Sequence, residues 1–322
     1  MTLFDLIDNA ELGRGDLQTV AGLSFLMAVD GIGPVKATKI AENYKNLAAL
    51  REASDDQLKI LAGRSNTNLE RHRWNAITPT VLPDGVSAIS IFDDEWPNPL
   101  RQLRSAPAII YVIGTIPNLS CIAVVGTRQP TDFGYRVVKK VVQESARRGW
   151  GVVSGLALGI DTKAHEMALE YGTPTWAILG CGVDVPTPTA NRKLAELIVE
   201  SGGGLISEQI PGSEPNPQRL VARNRLQVAF SEIVVAAQAG IPSGTLHTVR
   251  FALEQNRRLV VPRPIGNWAS EKASAANMAL TNPLGCDPAI LSAGPSLAKE
   301  ILSRLPVADV VLSADDIDAI WR

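Results

Sequence analysis

The feature that most constrains the fold is a set of short, continuously apolar runs separated by helical stretches. CIAVVG (121–126), TWAILG (175–180) and EIVVAAQA (232–239) lack the apolar–polar alternation of a half-exposed strand. Such runs suit strands covered on both faces. AIIYVIG, GVVSG, GLISEQ and RRLVVP share this short, β-branched character. Helical patterns intervene through YRVVKKVVQESARRG, DTKAHEMALEYG, NRKLAELIVESGG and TLHTVRFALEQN. Strands joined by helices of that length require crossovers, so the expected sheet is mostly parallel with helices on both faces, an α/β Rossmann-like fold. The Pro-rich stretch PGSEPNPQRLV (211–221) reads as a loop.

Before residue 81 the grammar is different. LQTVAGLSFLMAV and KATKIAENYKNLAAL repeat apolar residues at helical spacing, and Ser54 with Gln57 reads as a capping box. Three segments are expected in the 322 residues: a small all-α domain over 1–80, the α/β domain over 81–267, and a C-terminal extension over 268–322 without a clear winged helix. The extension carries a helical pattern through SLAKEILSRL and an acidic ending, ADDIDAIWR.

Composition limits the function. With 31 Lys plus Arg against 33 Asp plus Glu, the net charge is −2, so an anion site must be a local patch of backbone N–H groups and a few cations. Three cysteines and three histidines, all scattered, give neither a disulfide framework nor a metal site. No apolar run approaches 18 residues, and the N-terminus lacks the basic and apolar regions of a signal peptide, so the cytoplasm is the expected compartment, with no membrane contact. No cofactor is called for.

Candidate site residues cluster where strands end, the place ligands bind in doubly wound sheets. Gly126-Thr127-Arg128 offers a tight turn, a hydroxyl and a forked cation for phosphate, without the G-x-G-x-x-G fingerprint. In the next turn, Ser154-Gly155 closes a strand and Gly159-Ile160-Asp161 opens a helix whose free N–H groups form an anion seat. Asp161 is open to two readings there: a helix cap, or half of an acid–base pair with His165 four residues on. Cys181, between Gly180 and Gly182, has no basic neighbour in sequence and reads as a passive thiol. Arg223 and Arg225 flank Asn224, suiting either phosphate or a network with acids such as Glu208. Ser243-Gly244-Thr245 is a further strand-end cradle. These turns are expected to converge on one edge of the sheet. In the helical segment, Gly31-Ile32-Gly33-Pro34 allows a tight turn into a helix with Lys36 and Lys39 on its next turn. That resembles a helix-hairpin-helix, a clamp for the DNA backbone, or else a hairpin kept for packing.

Taken in order, WPNPLRQLRSAPAIIYVIG, VVGTRQPTDFG, SGLALGIDTKAHEMAL, ILGCGVDVPTPTANRKL, GGGLISEQIPG, ARNRLQVAFSEIVVAAQA and SGTLHTVRFALEQNRRLVVP resemble the DprA/Smf family of DNA-processing proteins from about Trp96 to Pro264. The resemblance implies a Rossmann-like domain after a small helical one, single-stranded DNA binding, loading of a RecA-type recombinase in DNA uptake and recombination, and a homodimer. It also implies a phosphate pocket lined by Gly126, Thr127, Arg128, Ser154, Gly155, Gly159, Ile160, Asp161, Arg192 and Lys193, with Arg223 and Arg225 weaker members and Ser243, Gly244 and Thr245 on the same edge. Three stretches depart from the family's pattern: Gln238 stands where it usually has Glu, Val260-Val261-Pro262-Arg263 lacks the Gly usually found after that Pro, and Gln227-Val228-Ala229-Phe230 replaces a Gly-containing stretch.

The expected function is therefore non-enzymatic: backbone phosphates meet strand-end N–H groups and Arg128, without sequence reading. Aromatics are 5% of the chain, so stacking is secondary, and Trp96, Phe133, Trp176 and Phe230 are expected in the core. The alternative is a Rossmann-like sensor of nucleotides or nucleotide-derived signals, as in a defence-related paralogue. Hydrolysis is disfavoured, because the P-G-G-x-G-T pattern followed by Glu of phosphoribohydrolases here reads Ile241-Pro242-Ser243-Gly244-Thr245, with His247 after it.

Overall fold

The computed structural model describes residues 15–29, 31–54, 57, 81–282, 308, 310–312 and 317–321. It divides into two compact units, Met1–Ile110 and Tyr111–Arg322.

In the first unit, a 3-10 turn at Asp16–Gln18 leads into α1 (Val20–Met27), α2 (Pro34–Tyr44) and α3 (Leu47–Glu52). Local sequence sets these boundaries. Thr19 caps α1 by accepting from Gly22 N at 3.1 Å, and Asn46 caps α3 by accepting from Ala49 N at 2.8 Å. Leu23, Leu26, Ala37, Ile40, Leu47 and Leu50 bury the inner faces, and Asp16 Oδ1 ties Leu47 N to the first turn at 2.8 Å. Gly31 adopts φ +80, which favours glycine, and Gly33 caps α2 with Pro34 at its start. The capping box also forms: Gln57 N donates to Ser54 Oγ (3.3 Å) and Ser54 N to Gln57 Oε1 (2.8 Å). The body of the helix it would open falls outside the described residues, as does the SLAKEILSRL pattern. β1 (Ser87–Ser90) and α4 (Asn98–Arg101) follow, and the unit boundary falls within β2 (Ile109–Gly114).

The second unit is a doubly wound sheet. Its strands are the rest of β2, then β3 (Cys121–Gly126), β4 (Gly151–Ser154), β5 (Thr175–Leu179), β6 (Gly204–Ser207), β7 (Ile233–Gln238), β8 (Arg258–Pro262) and β9 (Val310–Leu312). They lie in the order β2-β6-β5-β4-β3-β7-β8-β9, parallel throughout except that β2 runs antiparallel to β6. The order reverses between β3 and β7, the switch point at which doubly wound sheets open a crevice.

The apolar runs are explained by two cores. Ile122 and Val124 of β3 face a cluster with Val138 and Val141 of α5 (Asp132–Arg147) and Ile160 and Ala164 of α6 (Ile160–Glu170). Ala123 and Val125 face the opposite cluster. It holds Val228 of α9 (Asn224–Ala229), Leu246 and Val249 of α10 (Thr245–Glu254), and Ala276 and Leu280 of α11 (Ala275–Leu280). α7 (Arg192–Glu200) follows β5, and α8 (Pro217–Ala222) precedes α9.

Two segments differ from the sequence expectation. The Pro-rich loop contains α8, because Asn216 caps it by accepting from Arg219 N at 2.8 Å and Pro217 occupies its first turn. The described residues beyond 267 also join the α/β unit rather than standing apart from it. Asn277 is fully buried and stitches the ends of β7 and β8 by accepting from Ala239 N (2.7 Å) and donating to Ala236 O (3.0 Å) and Pro262 O (3.0 Å). β9 pairs with β8, and Ile320 is buried in the α5/α6 core. Trp96, Phe133, Trp176 and Phe230 are all buried, as expected.

Candidate nucleic-acid interface

At the switch point the strand ends enclose a cavity of about 510 Å³. Its lining includes Gly126, Thr127 and Arg128 after β3, Ala157 and Asp161 after β4, and Ser243, Gly244, Thr245 and Thr248 after β7. One wall comes from α8 and α9, through Pro217, Leu220, Val221, Arg223, Asn224 and Gln227.

The turn carrying Arg128 is held from below. Thr127 N donates to Gln238 O (2.7 Å), Ile160 N donates to Thr127 O (3.1 Å), and Gly159, at φ +81, packs its α-carbon against this turn. A Cβ at Gly159 would lie 2.5 Å from Thr127 O, so the close approach requires glycine. Arg128 itself is exposed, and its side chain has no hydrogen-bond or ion-pair partner among the described residues. Ser243 Oγ accepts from Thr245 N at 3.2 Å, and Gly244 caps α10, whose N-terminus opens on the cavity.

The turn after β4 behaves differently. Three of its donors are satisfied within the chain: Gly155 N and Ala157 N donate to Asp161 Oδ2 at 3.1 and 3.4 Å, and Ser154 Oγ donates to Val124 O at 2.7 Å. Of the expected pocket residues, Ser154, Gly155, Gly159 and Ile160 therefore brace the site from beneath, while Asp161 reaches the lining. Asp161 Oδ2 also lies 3.8 Å from Arg223 Nη2. Burial pushes the Asp161 carboxyl up, while Arg223 and the two backbone N–H groups pull it down. Arg223 is itself buried and donates to Leu220 O (3.4 Å) and to Ile178 O. Burial lowers its pKa first of all, Asp161 raises it, and the nearby positive charge of Arg128 lowers it further. Two guanidinium groups and one carboxyl group thus act on one cavity, so its cations outnumber its acids.

Several expected residues stay out of the lining. Arg225 forms a bidentate pair with Glu208, both bonds 2.6 Å, in a nearly buried setting, which is the acid network rather than the phosphate reading. Arg192 and Lys193 lie exposed at the start of α7, where Lys193 pairs with Glu196 at 3.1 Å. Asn191, between them and the site, instead donates to Leu156 O (2.7 Å) and Thr162 Oγ1 (2.8 Å), pinning the turn after β4. In the first unit, Lys36 Nζ donates to Gly31 O at 2.9 Å across the hairpin turn, and Lys39 is exposed.

The acid–base reading of Asp161 with His165 is not supported by the geometry. His165 is fully buried with its Nδ1 2.8 Å from Thr175 Oγ1. Thr175 gives its own proton to Val152 O (2.9 Å), so His165 Nδ1 is the donor and the bare nitrogen is Nε2. Nε2 has no hydrogen-bond partner among the described residues. Burial, with a smaller push from Arg223, lowers the imidazole pKa to about 3, so it is neutral at physiological pH. Cys181 is buried and its thiol is pushed up by burial, consistent with a passive group. No cluster of His, Cys, Asp and Glu suited to a metal ion, and no helix long and apolar enough to cross a membrane, occurs among the described residues.

Apart from Arg223, the α8/α9 wall is the part that sequence reasoning missed. The Asn216-Pro217 pair was the available signal, an N-cap followed by a first-turn proline. Gln227 was noted only as a departure. With its amide oriented to satisfy its neighbours, its oxygen accepts from Gly155 N and Arg223 Nη1, both at 2.9 Å.

Comparison with known proteins gives the same region. Residues 87–283 match the model of the DNA recombination-mediator protein A family, and residues 23–71 match a SAM-like helix-hairpin-helix tandem. Protein Smf of Synechocystis is 33% identical over 252 residues, 71% of this chain and 61% of the relative, so the chain spans less than two thirds of that protein. The DNA processing protein DprA of Bacillus subtilis is 30% identical, covering 65% of this chain and 71% of the relative. Among solved structures, DNA processing protein A of Streptococcus pneumoniae superposes with a TM-score of 0.67 at 27% identity, over 80% of this chain and 90% of that one. The Helicobacter pylori protein, studied for its single-stranded DNA binding mode, gives 0.52 at 30% identity, over 57% of this chain and 83% of that one. On a family match that takes in every strand-end turn of the cavity, the chain belongs to the DNA recombination-mediator protein A family.

Proposed function

We propose that the chain binds single-stranded DNA through its phosphates at the β3/β7 switch point, as a non-enzymatic DNA-processing protein. The observation that carries this is Arg128, exposed and without a partner among the described residues, sharing one cavity with the Ser243-Gly244-Thr245 cradle. The cradle supplies the Ser243 and Gly244 N–H groups, since Thr245 N, Leu246 N and His247 N are bonded within the turn, and Arg128 supplies a fork for phosphate oxygens, a combination that recognises the backbone and not the base. Ser154, Gly155, Gly159 and Ile160 hold these groups in place. The single-stranded DNA binding mode of the Helicobacter pylori relative supports the choice of ligand. Acting as a cytoplasmic homodimer, the protein would hand its strand to a RecA-type recombinase during DNA uptake and recombination. Lys36 and Lys39, beside Gly31 and Gly33, are assigned a secondary backbone contact.

One observation favours a second reading. A cavity of about 510 Å³ is also the size of a small-ligand site, so a nucleotide-derived signal is the competing occupant.

Fluorescence anisotropy of labelled oligo-dT and of its duplex, over a series of salt concentrations, separates the two. Preference for the single strand, with Arg128→Ala reducing the slope of log K against log salt by about 0.7, is the expected outcome for one lost phosphate contact. An unchanged slope removes Arg128 from the interface. Absence of binding at low salt, with a nucleotide raising the Tm, moves the cavity to the sensor reading.

A further inference from the structure

The turn that presents Arg128 is gripped at both ends by one residue that does not line the cavity. Gln238, at the end of β7, is fully buried. Its main-chain carbonyl accepts from Thr127 N at 2.7 Å, and its side-chain Oε1 accepts from Thr131 N at 2.9 Å. Arg128 lies between these two anchors. The other end of the amide is fixed by the segment that follows β8: Gln238 Nε2 donates to Ser274 Oγ at 2.9 Å and lies 3.4 Å from Glu271 Oε2.

Proton counting makes this node specific. Thr131 Oγ1 donates to Glu271 Oε2 at 2.6 Å, which uses its one hydrogen. It must therefore accept from Gln238 Nε2, 2.9 Å away. Residue 238 is thus required to donate at one end and accept at the other, which an amide does and a carboxylate does not. A carboxylate there would also face Glu271 across the same short gap, a buried like-charge contact. The packing depends on glycine as well, since a Cβ on Gly134 would lie 2.5 Å from Gln238 Oε1 and would displace the amide from this position.

We propose, resting on the DNA-binding reading above, that Gln238 and Glu271 are positioning residues for Arg128. Glu271, outside the cavity lining, sets the polarity of the Thr131–Gln238 pair, and that pair sets the turn from which the Arg128 guanidinium meets a DNA phosphate.

The test uses the full chain, labelled oligo-dT and four variants. Gln238→Glu weakens binding about tenfold, since it removes one donor and adds a repulsion. Gln238→Glu with Glu271→Gln restores binding to within about threefold, because Thr131 Oγ1 is then free to donate to residue 238. In an Arg128→Ala background, Gln238→Glu adds less than about a twofold loss. A loss that the double variant fails to rescue, or one that is undiminished without Arg128, overturns the proposal. Should Gln238→Glu not fold, Glu271→Ala enters the same comparison with Arg128→Ala under the same criteria. Amide hydrogen exchange at Thr131 is read without DNA: acceleration in Gln238→Glu, reversed in the double variant, is expected, and unchanged exchange overturns the positioning role. Failure of the wild type to bind oligo-dT strikes the DNA reading alone, since the exchange experiment still decides whether the node holds the turn.

Discussion

Acid should destabilise the α/β unit through His165 before most carboxylates are protonated. In the native state the Nδ1 proton is committed to Thr175 Oγ1 and Nε2 is bare and buried, with the imidazole pKa lowered from 6.5 to about 3 by burial first and by Arg223 second. In the unfolded chain the same ring takes up a proton below about pH 6.5. The unfolded state therefore binds more protons between those values, and stability falls as pH falls through that window. At about 1.4 kcal/mol per pH unit, going from pH 7 to pH 4.5 costs about 2.5 kcal/mol from this residue alone. The assay is urea unfolding at a series of pH values, comparing wild type with His165→Leu, which keeps the apolar setting and removes the titration. The difference in stability between the two should shrink or reverse by about that amount across the window, while groups common to both cancel. Parallel pH curves would refute the reasoning. They would mean that His165 titrates near its ordinary value, and a chargeable imidazole beside Asp161 would return the acid–base reading to consideration.

Two further outcomes separate structural from binding cations. Arg225→Ala strands the Glu208 carboxylate in a nearly buried site and should cost about 3 kcal/mol in urea unfolding, with the salt slope of DNA binding unchanged. Lys36→Ala with Lys39→Ala should weaken oligo-dT binding less than Arg128→Ala does in anisotropy, because Lys36 is engaged with Gly31 O. Abolished binding in that pair would make the hairpin the main DNA site.

The sheet was legible because burial on both faces leaves a mark in every residue of a strand, as in β3, where Ile122 and Val124 serve one core and Ala123 and Val125 the other. Arg128 and Ser243-Gly244-Thr245 were legible because strand ends open toward ligands. What stayed hidden depends on who meets whom in three dimensions. Arg225 has the same composition and spacing as a phosphate cation, and only the approach of Glu208 from the end of β6 decides otherwise. His165 and Asp161 share a helix, yet the imidazole is drawn to Thr175 on β5. The segment around Glu271 has no strand or helix pattern to announce it, and its place becomes clear through the buried amides Gln238 and Asn277, which link it to the end of β7 across more than 30 residues through Gln238–Glu271 and Asn277–Ala239.

Asp161 sits on the N–H groups of Gly155 and Ala157 in the place of a ligand oxygen, and it does so on a tether. The chain thus supplies its own acceptor for these N–H groups, and the turn after β4 is held without an external anion. On the proposed function, a strand arriving at the cavity has no need to order that turn, so little conformational entropy should be lost there on binding, and association should approach the speed set by encounter. The same contact limits occupancy on the proposed function: a phosphate would settle beside Arg128, while the N–H groups of Gly155 and Ala157 are already engaged by Asp161.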